Sequence, residues 1–584
     1  MIDVTAPFIL LDDARADLGR LYRQPIEIVQ ARSPDEVRPA LRRLRKAAAE
    51  GLHAAGFMGY EAGQALEAKL APLSTRPAEH ELPLLWFGLF ERPEPLESVA
   101  SLLPDPASAW TGAARPLVAR ADYEAAVERV RDHIFAGDIY QANLTFPAEV
   151  AAAGSPLAIY AGVRGRAAAG HGGVVFTGEH WLLSFSPELF FTLEEGKVTT
   201  RPMKGTAVRR ATFAEDAAEA SKLAQDPKQR AENLMIVDLL RNDLSRVSRP
   251  GTVKVPSLFE VETYPTVHQM TSTVLAELEE GRDAIELLEA IFPCGSITGA
   301  PKIRAMEIIH GEERRSRGIY TGSIGCLSPD GSASFNVAIR TLAIRAGESR
   351  AAMGLGSGIV ADSRAADEWR ECLAKGAFVT DPDRSFDLIE TMRFDPHEGV
   401  SEIERHLQRM KASADAFGFP FDRHGARNEL QAATFHLRQA RKVRLLLSRS
   451  GALSIEVRAL PDDPSRAAEV ALAPMPVLPE DFRLRHKTSD RGFYDEARKA
   501  AGAFEVIFHD EAGFLTEGSF THVFVERGGT LLTPPLSRGL LPGILREQLL
   551  AAGEAEEADL VAADLVGGFH LGNALRGLIP AILR

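Results

Sequence analysis

A lysine in residues 201–206, RPMKGT, is the first side chain whose setting could support chemistry. The proline two residues before Lys204 fixes the backbone there, and the glycine directly after it frees the backbone. The sequence therefore predicts a short turn-like segment that holds the amine in place. A surface lysine at a turn explains the same hexamer and, for this segment alone, is the simpler interpretation.

Carboxylates on two predicted helices indicate a metal site. Glu232 lies on the first helix, while Glu371 and Lys375 share one face of the second with Glu368. A glycine run at 354–358, GLGSG, precedes the second helix and would let backbone N–H groups approach an anion. Mg²⁺ suits such a pocket, because it typically takes one or two protein carboxylates plus an anionic group of the substrate. A solvated Glu232 and an ordinary salt-bridge ladder stay open as alternatives.

Arg340 adds a group that recognises a carboxylate. It lies near the end of a strand predicted over 334–344. A planar guanidinium binds a carboxylate with two hydrogen bonds. The local pattern therefore indicates a metal-assisted site for a small polyanion.

A second set of chemical groups follows residue 400. Lys487 lies in RHKTSD and Glu517 in LTEGS. A glycine, Gly543, directly precedes the helix predicted over 544–552. A glycine at a helix start suits a phosphate group. A lysine, an acid and a phosphate cradle are what pyridoxal phosphate needs. A solvated basic loop is the plain alternative for Lys487.

Length and composition limit the classes of protein. A chain of 584 residues is too long for one core, so at least two domains are expected. The net charge of -14 argues against a nucleic-acid binder. The three cysteines form no CxxC pair, which excludes a disulfide framework and fits a reducing cytoplasm. We see no signal peptide and no membrane span, so we expect a cytoplasmic protein without a membrane partner.

The elements that must position these residues alternate between strand and helix, which indicates an α/β (α+β) chain. The helix predicted over 228–247 carries Leu234 and four further apolar residues at helical spacing. The DPDR sequence at 381–384 is the best linker, and the strand–helix pattern restarts after it. We therefore predict a boundary near residue 383, with domains at 1–380 and 385–584.

The first domain resembles the chorismate-utilising enzymes, which include anthranilate synthase, aminodeoxychorismate synthase component I, isochorismate synthase and salicylate synthase. The matching motifs run in family order: SPELF (186–190), RPMKGT (201–206), RAENLMIVDLLRNDLSRV (230–247), YPTVHQMTSTV (264–274), PCGSITGAPK (293–302), YTGSIG (320–325), NVAIRT (336–341) and GSGIVADS with EWRE (356–371).

That resemblance implies two large sheets that face each other across the substrate, with surrounding helices. It implies a role for each matching residue: Glu232 and Glu371 would hold Mg²⁺; Tyr320, Arg340, the backbone of Gly358, and Lys375 would bind carboxylate; His268 and Thr298 would line the ring site; and Glu188 would protonate the departing C4 hydroxyl. The role of Glu188 needs a raised pKa and a partly desolvated carboxyl.

Lys204 distinguishes between members of this family. Anthranilate synthases carry alanine at this position, whereas lysine is typical of aminodeoxychorismate synthases. A desolvated neutral amine is a good nucleophile. An anthranilate-type synthase remains the nearest alternative. Since no cysteine has a glutaminase setting, we expect ammonia from a separate glutamine amidotransferase subunit or free ammonia.

The second domain resembles the fold-type IV pyridoxal-phosphate enzymes, such as aminodeoxychorismate lyase and branched-chain aminotransferase. By motif, Lys487 would form the Schiff base, Glu517 would face the pyridine nitrogen, and Arg409 with the backbone of Gly543 and Ile544 would hold the phosphate. Two features depart from the family pattern. His522 stands where asparagine is usual, and the initial strands that precede the segment at Phe386 in stand-alone enzymes are missing.

Together the two resemblances imply synthesis of 4-aminobenzoate, a folate precursor, from chorismate. The second domain would release pyruvate as a lyase. An aminotransferase and a non-catalytic scaffold stay open as alternatives for that domain, and a homodimer through it is also compatible with the resemblance.

Overall fold

The computed structural model describes residues 2–74, 76–210, 212–263, 267–381 and 384–584. These residues pack into two units. The first comprises Met1–Asp105, Ala113–Val150 and Tyr160–Thr380, and the second comprises Pro106–Gly112, Ala151–Ile159 and Asp381–Arg584. Residues 264–266 of one predicted motif and the predicted boundary near residue 383 lie outside the described ranges. The division into 1–380 and 385–584 therefore stays a proposal.

The helices alternate with strands along both units. In chain order they are α1 (Pro34–Ala49), α2 (Ala62–Leu66), α3 (Arg120–Phe135), α4 (Pro156–Ala167), α5 (Phe213–Gln225), α6 (Pro227–Ser245), α7 (Ala284–Ile291), α8 (Lys302–Glu313), α9 (Ala365–Gly376), α10 (Ile403–Phe417), α11 (Arg423–Thr434), α12 (Phe482–Arg485), α13 (Gly492–Ala501) and α14 (Ile544–Ala551).

Two large sheets form the first unit. The spatial order of the first sheet is Gly299–Ala300, Gln141–Ala153, Arg350–Ile359, Thr341–Arg345, His180–Ser184, Gly172–Phe176, Phe8–Asp13, Leu18–Arg23 and Glu94–Leu96, with Arg115–Pro116 beside Gln141–Ala153. The order of the second is Met203–Val208, Val267–Glu277, Lys197–Arg201, Leu189–Glu194, Ala333–Asn336, Ser323–Leu327, His53–Met58, Leu85–Phe90 and Glu27–Ala31, with Lys254–Thr263 beside Val267–Glu277.

Apolar side chains from both sheets meet in one buried cluster. Ile9 and Leu182 come from the first sheet, and Phe57 and Ile324 come from the second. A larger cluster packs the second sheet against helices, including α1 and α6. The predicted α/β two-sheet sandwich with surrounding helices is thus confirmed.

Helix α6 shows how local sequence sets an element. The side chain of Asp226 caps its start by accepting hydrogen bonds from the backbone of Lys228 and Gln229, and Pro227 occupies the first turn. Val237, for example, is buried as its helical spacing predicts, but Leu234 is 43% exposed. The prediction of an apolar stripe through Leu234 was therefore wrong at its first position.

Two local predictions in the first unit were wrong. Lys204 lies in the strand Met203–Val208 instead of a turn, although the pairing register shifts nearby and Gly205 has a φ of 94°. The glycine run lies inside the strand Arg350–Ile359, which precedes α9 as the sequence predicts. The strand predicted over 334–344 is two strands in different sheets, because the chain crosses over at 337–340, where Arg340 has a φ of 50°.

The second unit contains two smaller sheets. One has the order Gly399–Val400, Leu388–Asp395, Arg441–Leu447 and Leu453–Ala459; the other has Leu515–Gly518, Glu505–His509, Ala468–Pro474, Gly577–Leu583, Phe569–Asn573, His522–Arg527, Thr530–Thr533 and Ala555–Glu557. Helices α10 and α11 pack on the first of these sheets through residues such as Leu407 and Leu430. Trp110, which lies far from this domain in sequence, joins the same core and contacts Phe386 and Phe417.

Candidate active sites

Lys204 is the centre of the first candidate site. Burial and the nearby positive charge of Lys375 lower the pKa of its amine below the ordinary lysine value. The carboxylates of Glu232, Glu188 and Glu371 act in the opposite direction. A side chain placed on Gly358 would put its Cβ atom 3.0 Å from the amine nitrogen. The structure therefore gathers these predicted site residues around one amine.

Glu188 has the environment that a proton donor needs. It is 4% exposed, and its Oε1 atom has no hydrogen-bond partner among the described residues. Burial raises the pKa of this carboxyl to about 7, although hydrogen bonds from Ser296 and the backbone of Met203 and the charge of Lys204 limit the rise. At neutral pH a large fraction of Glu188 is therefore protonated.

Two carboxylates that could hold a metal, Glu232 and Glu371, lie near enough to Lys204 to raise the pKa of its amine. Burial raises the pKa of Glu232, and the negative charges of Glu371 and Glu368 add to the rise. Burial would do the same to Glu371, but Lys375 holds its pKa down through an ion pair of 2.7 Å. A cation between Glu232 and Glu371 would relieve their repulsion, so the pair fits a metal that takes its remaining ligands from substrate and water.

No larger metal-binding group accompanies this pair. Across the described ranges, no three His, Cys, Asp or Glu side chains lie close enough to ligate one ion. Lys375 also donates to the backbone oxygen of Gly356 at 3.1 Å, which orients its amine along the glycine strand. The structure thus contains the Lys375–Glu371 salt bridge that the alternative interpretation of α9 predicts. The Glu371 side chain is nevertheless 54% exposed.

The predicted ring-lining residues are firmly held. His268 is 2% exposed, and its two ring nitrogens contact Asp216 at 2.9 Å and Thr263 at 3.1 Å. The Thr298 hydroxyl donates to backbone oxygens, including that of Cys294 at 3.2 Å. These contacts fix both side chains. With both nitrogens engaged, His268 would contact a substrate through the ring surface.

Tyr320 and Arg340 complete the predicted substrate residues. The Tyr320 ring lies directly on Gly354, since a Cβ atom there would be 2.0 Å from the ring. Arg340 lies where the chain crosses between the two sheets, and its backbone oxygen accepts a hydrogen bond of 3.0 Å from Phe185. The role of Arg340 in carboxylate binding stays a prediction.

Gln141 is a site residue that no sequence motif predicts. It is 1% exposed, and neither polar atom of its amide has a hydrogen-bond partner in the described chain. A Cβ atom on Gly358 would lie 2.9 Å from its Nε2 atom, so the amide shares the space around Lys204. A glutamine inside an apolar strand, YQANLTF, is the sequence signal that could have revealed it.

A pocket of about 280 Å³ forms the second candidate site. Its lining includes all five residues predicted to bind a cofactor: Lys487, Glu517, Arg409, Gly543 and Ile544. Burial and the charge of Arg409 lower the pKa of Lys487 to about 7. The amine is therefore substantially neutral near physiological pH, as condensation with an aldehyde requires.

Hydrogen bonds orient the acid and the arginine of this pocket. Tyr494 donates to Glu517, whose second oxygen accepts from the backbone of Leu541 at 3.2 Å, and burial raises the pKa of Glu517 to about 7. Arg409 binds the buried carboxylate of Glu390 through two nitrogens, at 2.9 and 2.7 Å. No sequence motif predicts Tyr494 or Glu390 as site residues. An arginine held by the ion pair with Glu390, an acid and an amine thus lie around one cavity. This set of groups fits pyridoxal phosphate.

Comparison with known proteins identifies the first unit. A model of the chorismate binding enzymes matches residues 6–381. The chain belongs to the chorismate binding enzyme family. A second model, amino-transferase class IV, matches residues 387–582, so the chain joins a chorismate binding enzyme to a class IV domain. Both predicted resemblances are confirmed, and the second match implies pyridoxal phosphate as a cofactor.

Individual relatives agree with this family but do not separate its members. Aminodeoxychorismate synthase component 1 of Klebsiella aerogenes is 43% identical over 46% of this chain and 58% of its own length. Anthranilate synthase component 1 of Streptomyces coelicolor is 41% identical over 44% of this chain and 50% of its own length. Thus the chain spans about half the length of these relatives.

The solved structure of anthranilate synthase component I from Streptococcus pneumoniae shares the fold. It is 27% identical, has a TM-score of 0.54, and the match covers 65% of this chain and 94% of that chain. No helix in the described part of this chorismate binding enzyme has the length and apolar character to cross a membrane.

Proposed function

We propose that this chain makes 4-aminobenzoate from chorismate and ammonia in two successive reactions. The first unit would form 4-amino-4-deoxychorismate, and the second would release pyruvate from that product. The observation that supports the proposal most strongly is the partly buried Lys204 amine, whose pKa is lowered by burial, among Glu188, Glu232 and Glu371.

In the first reaction, Lys204 would act as the nucleophile. Its neutral amine would bond to ring carbon C2 while the bond between C4 and its hydroxyl breaks. Protonated Glu188 would give its proton to that hydroxyl, which leaves as water. Ammonia would then bond to C4 as the bond from C2 to the lysine breaks, so Lys204 is regenerated.

The charged residues around Lys204 would bind the substrate. Glu232 and Glu371 would hold Mg²⁺, which supplies positive charge for a substrate carboxylate. Lys375 and the backbone of Gly358 would bind carboxylate as well, together with Tyr320 and Arg340. Because the lysine and the carboxylates lie close together, substrate and ion binding would also set the protonation of the site.

In the second unit, Lys487 would remove the ring proton that elimination requires. Pyridoxal phosphate, when bound, supplies an electron sink for that carbon. Glu517 would face the pyridine nitrogen, and Tyr494 orients Glu517 by a hydrogen bond. Arg409 and the backbone of Gly543 and Ile544 would bind the phosphate group.

Ammonia would come from a separate glutamine amidotransferase subunit. Each of the three cysteines is buried, and none occupies a glycine-flanked elbow. We also propose that the protein forms a homodimer through its second domain. A cytoplasmic location is likewise a proposal.

The lysine variant Lys204→Ala tests the first reaction. With chorismate, ammonium and Mg²⁺, we expect the variant to lose amination at C4, while Lys204→Arg keeps the charge but also fails as a nucleophile. The control is Lys197→Ala, an exposed lysine on Lys197–Arg201, the strand that precedes Met203–Val208 along the chain. Wild-type turnover by Lys204→Ala would overturn the assignment, and anthranilate as the wild-type product would favour the anthranilate-type alternative.

A further inference from the structure

His522 lies in the cofactor pocket at the position where the resembled enzymes carry asparagine. It begins the strand His522–Arg527, is 5% exposed, and lines the same cavity as Lys487 and Arg409. We infer that the His522 imidazole donates a hydrogen bond to the phosphate group of pyridoxal phosphate. The inference rests on the proposed cofactor site.

The ring lies against the start of helix α14. A Cβ atom on Gly543, the residue before the helix, would come within 2.0 Å of the His522 Nε2 atom. Gly543 has an ordinary backbone, with φ of -73° and ψ of 137°, so its conformation does not require glycine. Glycine is required at this position because the imidazole of His522 leaves no room for a Cβ atom. The Nε2 atom therefore lies beside the N–H groups of the first helical turn, which have no partner within the helix.

The surroundings of the ring decide which nitrogen carries the proton. The Nδ1 atom is buried and has no hydrogen-bond partner in the described residues. A buried N–H group without a partner costs more than a lone pair without one. The neutral ring is therefore best protonated on Nε2, which points its N–H toward the start of α14.

Positive groups surround His522 and keep it neutral. Burial and the charges of Arg546, Arg409 and Lys487 lower its pKa to about 3. Two of these cations already have acidic partners, because Arg546 pairs with Glu557 and Arg409 with Glu390. A neutral N–H donor adds to the binding of a phosphate without further repulsion among the cations.

Titration of the full-length chain with two aldehydes tests this inference. Pyridoxal phosphate and pyridoxal differ by the phosphate group alone, and absorbance on condensation with Lys487 measures the affinity of each. We expect His522→Ala to weaken the binding of pyridoxal phosphate about tenfold or more, since a hydrogen bond to a charged group is lost. Pyridoxal affinity should stay unchanged, and His522→Asn should recover most of the loss.

His570→Asn is a matched control. His570 lies on the adjacent strand, opposite Phe524, and its Nδ1 atom is also buried without a described partner, but the residue does not line the pocket. Its substitution should leave both affinities unchanged.

Several outcomes would overturn the inference. Unchanged affinity of His522→Ala for pyridoxal phosphate would show no contact, and tighter binding would show that the ring obstructs the phosphate. An equal loss of affinity for both aldehydes would show that His522 has a structural role only. If wild type bound neither aldehyde, the proposed cofactor site would fail and the inference with it; binding by wild type without a His522 effect would reject the inference alone.

Discussion

Buried polar atoms without partners lie in both candidate sites. In the first site these atoms belong to Glu188 and Gln141, and in the second to His522 and His406. A buried polar group that lacks a hydrogen bond destabilises the folded chain by roughly 1–3 kcal/mol. Substrate or cofactor contacts can recover this free energy, which accounts for such atoms at functional positions.

Glu188 gives the first reaction a predictable pH dependence. Because the acid form donates the proton and its pKa is about 7, kcat/KM should fall as pH rises through neutral. Glu188→Gln should lower kcat by about 100-fold or more and remove this limb of the profile. A pH–rate profile that keeps its upper limb in Glu188→Gln would show that another group is the acid.

Gln141 should be more important for activity than for stability. Gln141→Leu removes two unpartnered polar atoms from a buried position, so we expect the variant to unfold at the same or a higher temperature. Its kcat/KM for chorismate should fall about tenfold or more, because the amide faces Lys204. Calorimetry and steady-state kinetics measure the two effects. A fall in unfolding temperature with wild-type kinetics would indicate a purely structural amide.

Lys487 should make cofactor loading depend on pH. Its neutral amine condenses with the aldehyde, and its pKa of about 7 means that the neutral fraction grows as pH rises through that value. The rate of loading, followed by absorbance, should increase between about pH 6 and pH 8 and then level. A rate that keeps increasing to pH 10 would contradict a lowered lysine pKa.

The elements of this fold follow largely from sequence periodicity and capping signals. The helices predicted over 228–247 and 544–552 agree with α6 and α14 to within two residues at each end. Errors occurred where tertiary contacts override local preference. Residues 202–205 form a Pro–x–x–Gly sequence that favours a turn, yet pairing with Val267–Glu277 makes Met203–Val208 a strand.

Sequence patterns gave the chemistry of the candidate sites more fully than their contacts. The residues around Lys204 and Lys487 could be listed from motifs, because each motif contains its functional side chain. Gln141, Glu390 and Tyr494 could not, because their roles depend on burial and on partners distant in sequence. The inclusion of Trp110 in the second unit had no local signal for the same reason.

Gly358 tests the role of the glycine strand. Its backbone faces Lys204 and Gln141 so closely that a methyl group would lie 3.0 and 2.9 Å from them. Gly358→Ala should therefore lower kcat/KM about tenfold or more by displacing both side chains. Gly311→Ala is the control, because this exposed residue of α8 has open space around it. Wild-type kinetics of Gly358→Ala would show that Lys204 tolerates displacement.

At the scale of the whole molecule, one chain joins two matched families. The chorismate binding model ends at residue 381, and the class IV model begins at residue 387. The product proposed for the first unit is the substrate proposed for the second. This chemical continuity is the main reason to prefer a lyase over an aminotransferase or a scaffold in the second unit.

The most direct test of that continuity is product analysis by mass spectrometry. Wild type and Lys487→Ala would receive chorismate, ammonium and Mg²⁺, with and without pyridoxal phosphate. We predict 4-aminobenzoate and pyruvate from wild type with the cofactor, and accumulation of 4-amino-4-deoxychorismate in Lys487→Ala. If cofactor-loaded wild type also accumulated the intermediate, or if both proteins made 4-aminobenzoate equally well, catalysis in series by the two units would be contradicted.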